Sequence, residues 1–219
     1  MSDTPYEGGV ELVIFDLDGV LVDVQHAENA ALAHLAGLMG LRLTAAESTA
    51  LFSGRKLQEC IDLIEDRSHT GPPEDAVRIV RETCERLIGP SLEPIAGVRE
   101  ALAGIDAIKC VASNSPPDII RHRLGAAGIH GQFGARVYSA YDIDAWKPDP
   151  TLFLWAADDL GAAPERTVVV EDSAVGVAAA LSAGMRVLHF CAENSGPHDT
   201  AVPTFSSMHM LPELIGRTG

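Results

Sequence analysis

Cations are scarce in this 219-residue chain: Lys and Arg total 16 against 31 Asp and Glu, a formal net charge of −15. A surface that acidic repels a phosphate backbone, which argues against nucleic acid and against an anionic membrane as partners. A small anionic ligand is compatible only where a metal ion or local cations reverse the field. Cysteine is sparse too: Cys60, Cys84, Cys110 and Cys191 form no CxxC pair, so neither a zinc site nor a dithiol redox motif is signalled. Cys110 lies inside an apolar run and reads as core. No apolar run approaches the length that spans a bilayer, and the opening MSDTPYEGG has neither the basic segment nor the apolar stretch of a secretory signal. These absences lead to the expectation of a reduced, cytoplasmic protein. There is also no internal repeat and no low-complexity segment, and no feature that signals an oligomeric state.

What is present is ordinary in amount and ordered in pattern. Hydrophobic residues make up 47% and charged residues 21%, as in soluble globular chains that bury a core. The length suits one main domain with a smaller module. Short, β-branched apolar runs at 10–15, 107–112, 167–170 and 185–190 read as buried strands. Amphipathic stretches at 97–104, 116–128, 149–160 and 173–184 read as helices, the last closing at Ala183-Gly184. This alternation predicts an α/β fold, a doubly wound parallel sheet of Rossmann-like type. Residues 24–92 depart from it and show helical periodicity alone, at 27–39, 57–67 and 75–88. The expected organisation is a catalytic core of residues 1–23 and 93–219 with an inserted all-helical cap at 24–92. In an open parallel sheet the site lies at the carboxyl ends of the strands, and an insert leaving from there would cover it.

The strongest local signal follows the first strand: Phe15-Asp16-Leu17-Asp18-Gly19-Val20-Leu21-Val22-Asp23. Two carboxylates this close at the end of a buried strand are costly without a cation. A calcium loop begins in a similar way but needs Glu at its twelfth position, which here is Ala27. Three further polar groups end other strands or open a helix: Ser113-Asn114, Lys147 within Trp146-Lys147-Pro148-Asp149-Pro150, and Glu171-Asp172-Ser173. Parallel strands would bring all of them to one edge, where a hydroxyl, an ammonium and four carboxylates suit Mg²⁺ and a phosphate together.

Taken singly, each residue has a plainer reading. Asp18-Gly19 makes a turn, Ser113 and Ser173 serve as helix N-caps, Glu171-Asp172 is a solvated loop, and Lys147 is a surface charge. Gly54-Arg55-Lys56 is either a solvated turn or a loop that reaches the non-phosphate end of a substrate, where Arg55 or Lys56 would suit a carboxylate.

In their order, the four segments DxDGxLVD, a Ser ending the second strand, KPDP and EDSxxGxxAAxxAGM resemble the haloacid dehalogenase superfamily, in its phosphatase branch with a helical cap. Residues 138–147 and His189-Phe190-Cys191-Ala192 are similar to the 6-phosphogluconate and sugar-phosphate phosphatase subgroup. The resemblance implies Asp16 as nucleophile, Asp18 as acid and base, and Mg²⁺ held by Asp16, the Asp18 carbonyl, Asp172 and Glu171, the last directly or at one remove. It further implies Ser113 and Asn114 on the phosphoryl oxygens and Lys147 against their charge. The substrate implied is a small phosphorylated metabolite, a sugar or sugar-acid phosphate such as 6-phosphogluconate. Relatives that cleave carbon–halogen or phosphonate bonds lack an acid at the position of Asp18. Two alternatives remain open: a sugar-phosphate mutase resembling β-phosphoglucomutases, whose cap histidine position is Glu28 here, and a metabolite-binding protein without catalysis.

Overall fold

The computed structural model describes residues 9–52, 55, 57–68, 70–191 and 202–216. Its contacts divide the chain into two compact units, Met1–Asp23 with Leu92–Gly219, and Val24–Ser91.

The first unit is built on β1 (Leu12–Phe15), β2 (Ile108–Ser113), β3 (Val137–Ser139), β4 (Thr167–Glu171), β5 (Arg186–Phe190) and β6 (Thr204–Phe205). These form one sheet in the order β3-β2-β1-β4-β5-β6, every neighbouring pair parallel. The central strands are buried on both faces, which is why they read as continuous apolar runs rather than alternating ones. β3 and β6 were not anticipated. At three and two residues they are too short to carry a periodic signal.

The helices run in chain order from α1 (Gln25–Leu38), α2 (Ala45–Phe52), α3 (Leu57–Ser68) and α4 (Ala76–Ile88) to α5 (Val98–Gly104) and α6 (Pro117–Ala126). They continue with α7 (His130–Phe133), α8 (Thr151–Asp159), α9 (Ala174–Ser182) and α10 (Leu211–Gly216). One sheet face places Leu12, Ile14, Cys110 and Val169 against Phe153 and Ala156 of α8 and Val177 and Ala180 of α9. On the other, Phe15 meets Phe133 of α7 edge to face with ring centroids 6.0 Å apart. Each Val, Leu, Ile or Phe side chain among these stabilises the fold by about 1.5–3 kcal/mol when fully buried.

All regular structure among the described residues of Val24–Ser91 is helical. Its own core joins Leu35 of α1, Phe52 of α2, Ile61 and Ile64 of α3, and Val80 and Cys84 of α4. α2 begins in a capping box: the Thr44 N–H donates to Glu47 Oε2 at 2.8 Å, and the Glu47 N–H donates to Thr44 Oγ1 at 3.3 Å. No helix among the described residues is long and apolar enough to cross a membrane. None of the four cysteines is in a disulfide.

Candidate active site

β1 pairs with β2 on one side and with β4 on the other, so the winding of the sheet reverses at β1 and opens a crevice at the carboxyl ends. Asp16 follows β1 directly, its N–H donating to the Val170 carbonyl at 3.0 Å. Asp18 stands in the turn beyond, closed by Gly19 N–H to the Val22 carbonyl at 2.8 Å and Val22 N–H to the Leu17 carbonyl at 3.1 Å. Gly19 has φ +89°, and a Cβ there would overlap the Asp172 carboxylate, so both conformation and space demand glycine.

Lys147 joins these parts. Its main-chain N–H donates to Asn114 Oδ1 at 3.0 Å, which ties its loop to the end of β2. Its ammonium donates to Asp16 Oδ1 at 2.5 Å, Glu171 Oε1 at 2.6 Å and the Ala112 carbonyl at 2.9 Å, and it lies 4.9 Å from the centre of the Phe153 ring. All three ammonium hydrogens therefore have acceptors. Burial alone would depress the Lys147 pKa, but Asp16 and Glu171 outweigh it and the group ends above the usual lysine range. The surface-charge reading of Lys147 is excluded by its burial.

Glu171 is fully buried at the end of β4. Beyond Lys147 on Oε1, its Oε2 accepts from Asp172 N–H at 3.1 Å, Ser173 N–H at 3.0 Å and Ser173 Oγ at 2.8 Å. Ser173 is at the same time the N-cap of α9, accepting from Gly176 N–H at 3.1 Å, so its plainer reading holds. A Cβ at Gly176 would overlap the Glu171 carboxylate, and glycine there lets the helix start close over this acid.

Asp16, Glu171 and Asp172 bring one ligand oxygen each within 4.8 Å of one another, a group able to hold a cation. Distance alone makes Glu171 a member, yet both its oxygens are already engaged, which leaves Asp16 and Asp172 as the freer donors. Electrostatics agrees. Burial, with repulsion from Glu171 and Asp18 only partly offset by Lys147, pushes Asp16 up to about 7. Burial, with repulsion from Asp16 and Glu171, pushes Asp172 up to about 8. A divalent ion with oxygen ligands relieves that repulsion, and the residues fit Mg²⁺ by donor chemistry.

A test of this fit needs no turnover. Because Asp172 stays protonated in the fold to about pH 8 but ionises near its ordinary value when unfolded, its charge costs stability between those values. Asp172→Asn in EDTA at pH 7.5 should therefore raise the melting temperature by about 2–6 °C, for about 1–2 kcal/mol. The same substitution should abolish the rise in melting temperature that Mg²⁺ gives the wild type. Calorimetry with and without Mg²⁺ reads both.

The remaining expected residues divide. Ser113 is buried and its Oγ accepts from Ser115 N–H at 3.1 Å. It does not cap α6, whose N-cap is Pro116. The Asn114 carbonyl oxygen is turned to Lys147 N–H, so its first visible task is to hold that loop. Arg55 belongs to the helical unit; it is exposed, with Nε donating to the Leu51 carbonyl at 3.0 Å. Lys56 and Gly54 lie outside the described residues, as does Ala192.

Further side chains support these groups. Ser115 Oγ donates to Asp18 Oδ2 at 3.2 Å, and Arg123 Nη1 lies 2.6 Å from Asp18 Oδ1. Ser139 Oγ donates to the Ser115 carbonyl at 2.7 Å. His189, buried on β5, has Nε2 3.0 Å from the Asp172 carbonyl, and so supports the main chain of a candidate ligand. Ser115 adjoins Ser113-Asn114, and Ser139 and His189 belong to the two segments similar to the sugar-phosphate phosphatase subgroup, whereas Arg123 sits inside a helix, where no local pattern marks it.

The comparisons with known proteins place this α/β chain in the phosphoric monoester hydrolase class. A model of the haloacid dehalogenase-like hydrolase family matches residues 10–184, and the chain belongs to that family. It is 35% identical over 211 residues to a 6-phosphogluconate phosphatase of Escherichia coli K12, covering 94% of each chain. Among solved structures, it is similar to a conserved haloacid dehalogenase-like protein of unknown function from Agrobacterium tumefaciens C58. That match has TM-score 0.81 and 29% identity, over 95% of this chain and 99% of that one. A family hydrolase from Deinococcus radiodurans R1, solved with bound phosphate and sodium, matches at TM-score 0.76 and 26% identity, over 96% of each chain.

Proposed function

We propose that this chain hydrolyses the phosphate ester of a small sugar or sugar acid through a covalent phosphoenzyme on Asp16. The observation that carries the reading is the Lys147 ammonium, held between Asp16 and Glu171 at 2.5 and 2.6 Å beside a third acid. Such a centre holds a carboxylate in a fixed direction within a crevice whose acids call for a cation. Asp16 and Asp172, with the Asp18 main-chain carbonyl, would hold Mg²⁺, and Glu171 would stand behind them through the groups it orders. Bound there, the ion offsets the negative charge of the phosphoryl group and of the acids.

Asp16 attacks phosphorus, so that a carboxylate O–P bond forms as the ester P–O bond breaks. Asp18 gives its proton to the departing oxygen, then takes one from the water that releases inorganic phosphate and restores Asp16. Lys147 fixes the direction of the nucleophile and supplies positive charge next to the reacting centre. Ser113 and Asn114, at the carboxyl end of β2, would donate to the phosphoryl oxygens. The sugar-acid substrate draws support from the name of the E. coli relative and from Arg55, an exposed cation in an acidic chain.

A panel of phosphate esters with Mg²⁺, with and without EDTA, tests the reading. Expected are inorganic phosphate from sugar and sugar-acid phosphates and loss of about 10²-fold or more of the rate in EDTA. Arg55→Ala should raise KM for a sugar-acid phosphate about tenfold while changing KM for p-nitrophenyl phosphate less than about twofold. An isomeric sugar phosphate without free phosphate would instead establish the mutase. No conversion of any ester would leave a binding protein.

A further inference from the structure

Arg123 lies on α6 between the inward-facing Ile120 and Leu124. Helical spacing turns residue 123 toward the same interior, where an aliphatic side chain would be placed without electrostatic cost. The position instead carries a guanidinium that is only 5% exposed. Arginine does not surrender its proton in a folded protein, so burying it demands an acid. One such acid is Asp18, 2.6 Å from Nη1 to Oδ1. The two atoms meet off the angle of an aligned hydrogen bond, so the contact is one of charge. The other Asp18 oxygen, Oδ2, accepts from the Ser115 hydroxyl at 3.2 Å. Both oxygens are thus gripped by the loop and helix that follow β2.

Stability is a poor reason for such a residue. A buried ion pair generally gains little over an apolar pair of similar volume. Direction is a better one. Asp18 stands two residues past the end of β1, in a turn, where its side-chain torsions have no sheet or helix to limit them. Proton transfer needs the carboxylate within hydrogen-bond reach of the oxygen that leaves and of the water that follows.

We infer that Arg123 is a positioning residue for Asp18, which together with Ser115 sets the direction in which that carboxylate is presented to the reacting atoms. Arg123 touches neither substrate nor metal and transfers no proton itself. The inference rests on the reading of Asp18 as proton carrier given above.

The test is a double-mutant cycle measured as kcat and KM on a sugar phosphate with Mg²⁺, using Arg123→Met, Asp18→Asn and the double variant. Arg123→Met should lower kcat about 30-fold and leave KM within about twofold, because ground-state binding is untouched. Arg123→Lys should lie between it and the wild type, about fivefold down, since it keeps the charge but not the planar fork. In the Asp18→Asn background, either Arg123 substitution should change the residual rate by less than about twofold, as expected of residues that act as a unit. Should Arg123→Met fail to fold, Arg123→Lys completes the same cycle. An equal loss in both backgrounds, or an unchanged kcat in Arg123→Met, would overturn the inference while leaving Asp18 its role. Full activity in Asp18→Asn alone would overturn the role of Asp18 first, and the inference with it.

Discussion

Lys147→Met is expected to lower kcat by about a thousandfold or more and to destabilise the protein by about 3 kcal/mol, for about 6–12 °C in melting temperature. Both effects have one source. The ammonium is buried, and it satisfies Asp16 Oδ1, Glu171 Oε1 and the Ala112 carbonyl simultaneously. Removing it leaves two buried carboxylates facing each other with Asp172 close by. Protons can stand in for the missing charge. Without Lys147 the folded-state pKa of Asp16 rises further above its unfolded value, so the deficit against wild type is largest at alkaline pH and shrinks as pH falls toward about 5. Thermal melts of wild type and variant across that range check the sign. A deficit that grows on acidification would show that the ammonium does not serve these acids.

Asp16→Asn should separate activity from stability. The amide cannot attack phosphorus, and turnover of every ester should fall by at least about 10⁴-fold. The fold should not suffer. Burial and the neighbouring acids already push Asp16 up to about 7, so its ionisation is on balance disfavoured at the pH where activity is measured. An uncharged isostere of the same shape removes that penalty, and the melting temperature in EDTA should not drop. A low activity accompanied by a drop comparable to that of Lys147→Met would mean that the substitution acts through folding. Substantial residual activity would mean that Asp16 is not the nucleophile.

The parts of this structure that the chain advertises are those whose physics is local. β1 and β4 are buried along their whole length, and their apolar runs, with the shorter buried runs inside β2 and β5, identify the strands and their parallel arrangement. Once those strands are parallel, Asp16, Ser113 and Glu171 must meet, because each stands at a carboxyl end and the register aligns Phe15 with Val111 and with Val170. β3 and β6 offer too few residues for a period. α2 is announced by Thr44 and Glu47, but the apolar spacing behind that box is weak, with only Ser48 and Phe52 buried.

The site was legible as a set and less so as a division of roles. Glu171 and Asp172 are adjacent acids, and nothing local says that one is sealed by Lys147 and three donors while the other turns to Gly19. Asn114 reads as a phosphate contact, and nothing local adds that its side-chain oxygen also holds the Lys147 loop. Arg123 is a cation on a helix, and only the fold reveals that it is buried against Asp18. These distinctions depend on contacts between segments far apart in the chain, which periodicity and spacing do not encode.

The covalent step on Asp16 can be observed directly in Asp18→Asn, using p-nitrophenyl phosphate and Mg²⁺. The p-nitrophenolate departs without needing a proton, so the first half-reaction survives the substitution while the second loses its base. Acid quenching, digestion and mass spectrometry of the peptide containing Asp16 should find one phosphoryl group on that residue, released as nitrophenolate appears in a burst. A phosphoryl group on another residue, or none anywhere while the wild type frees phosphate, would contradict the phosphoenzyme on Asp16.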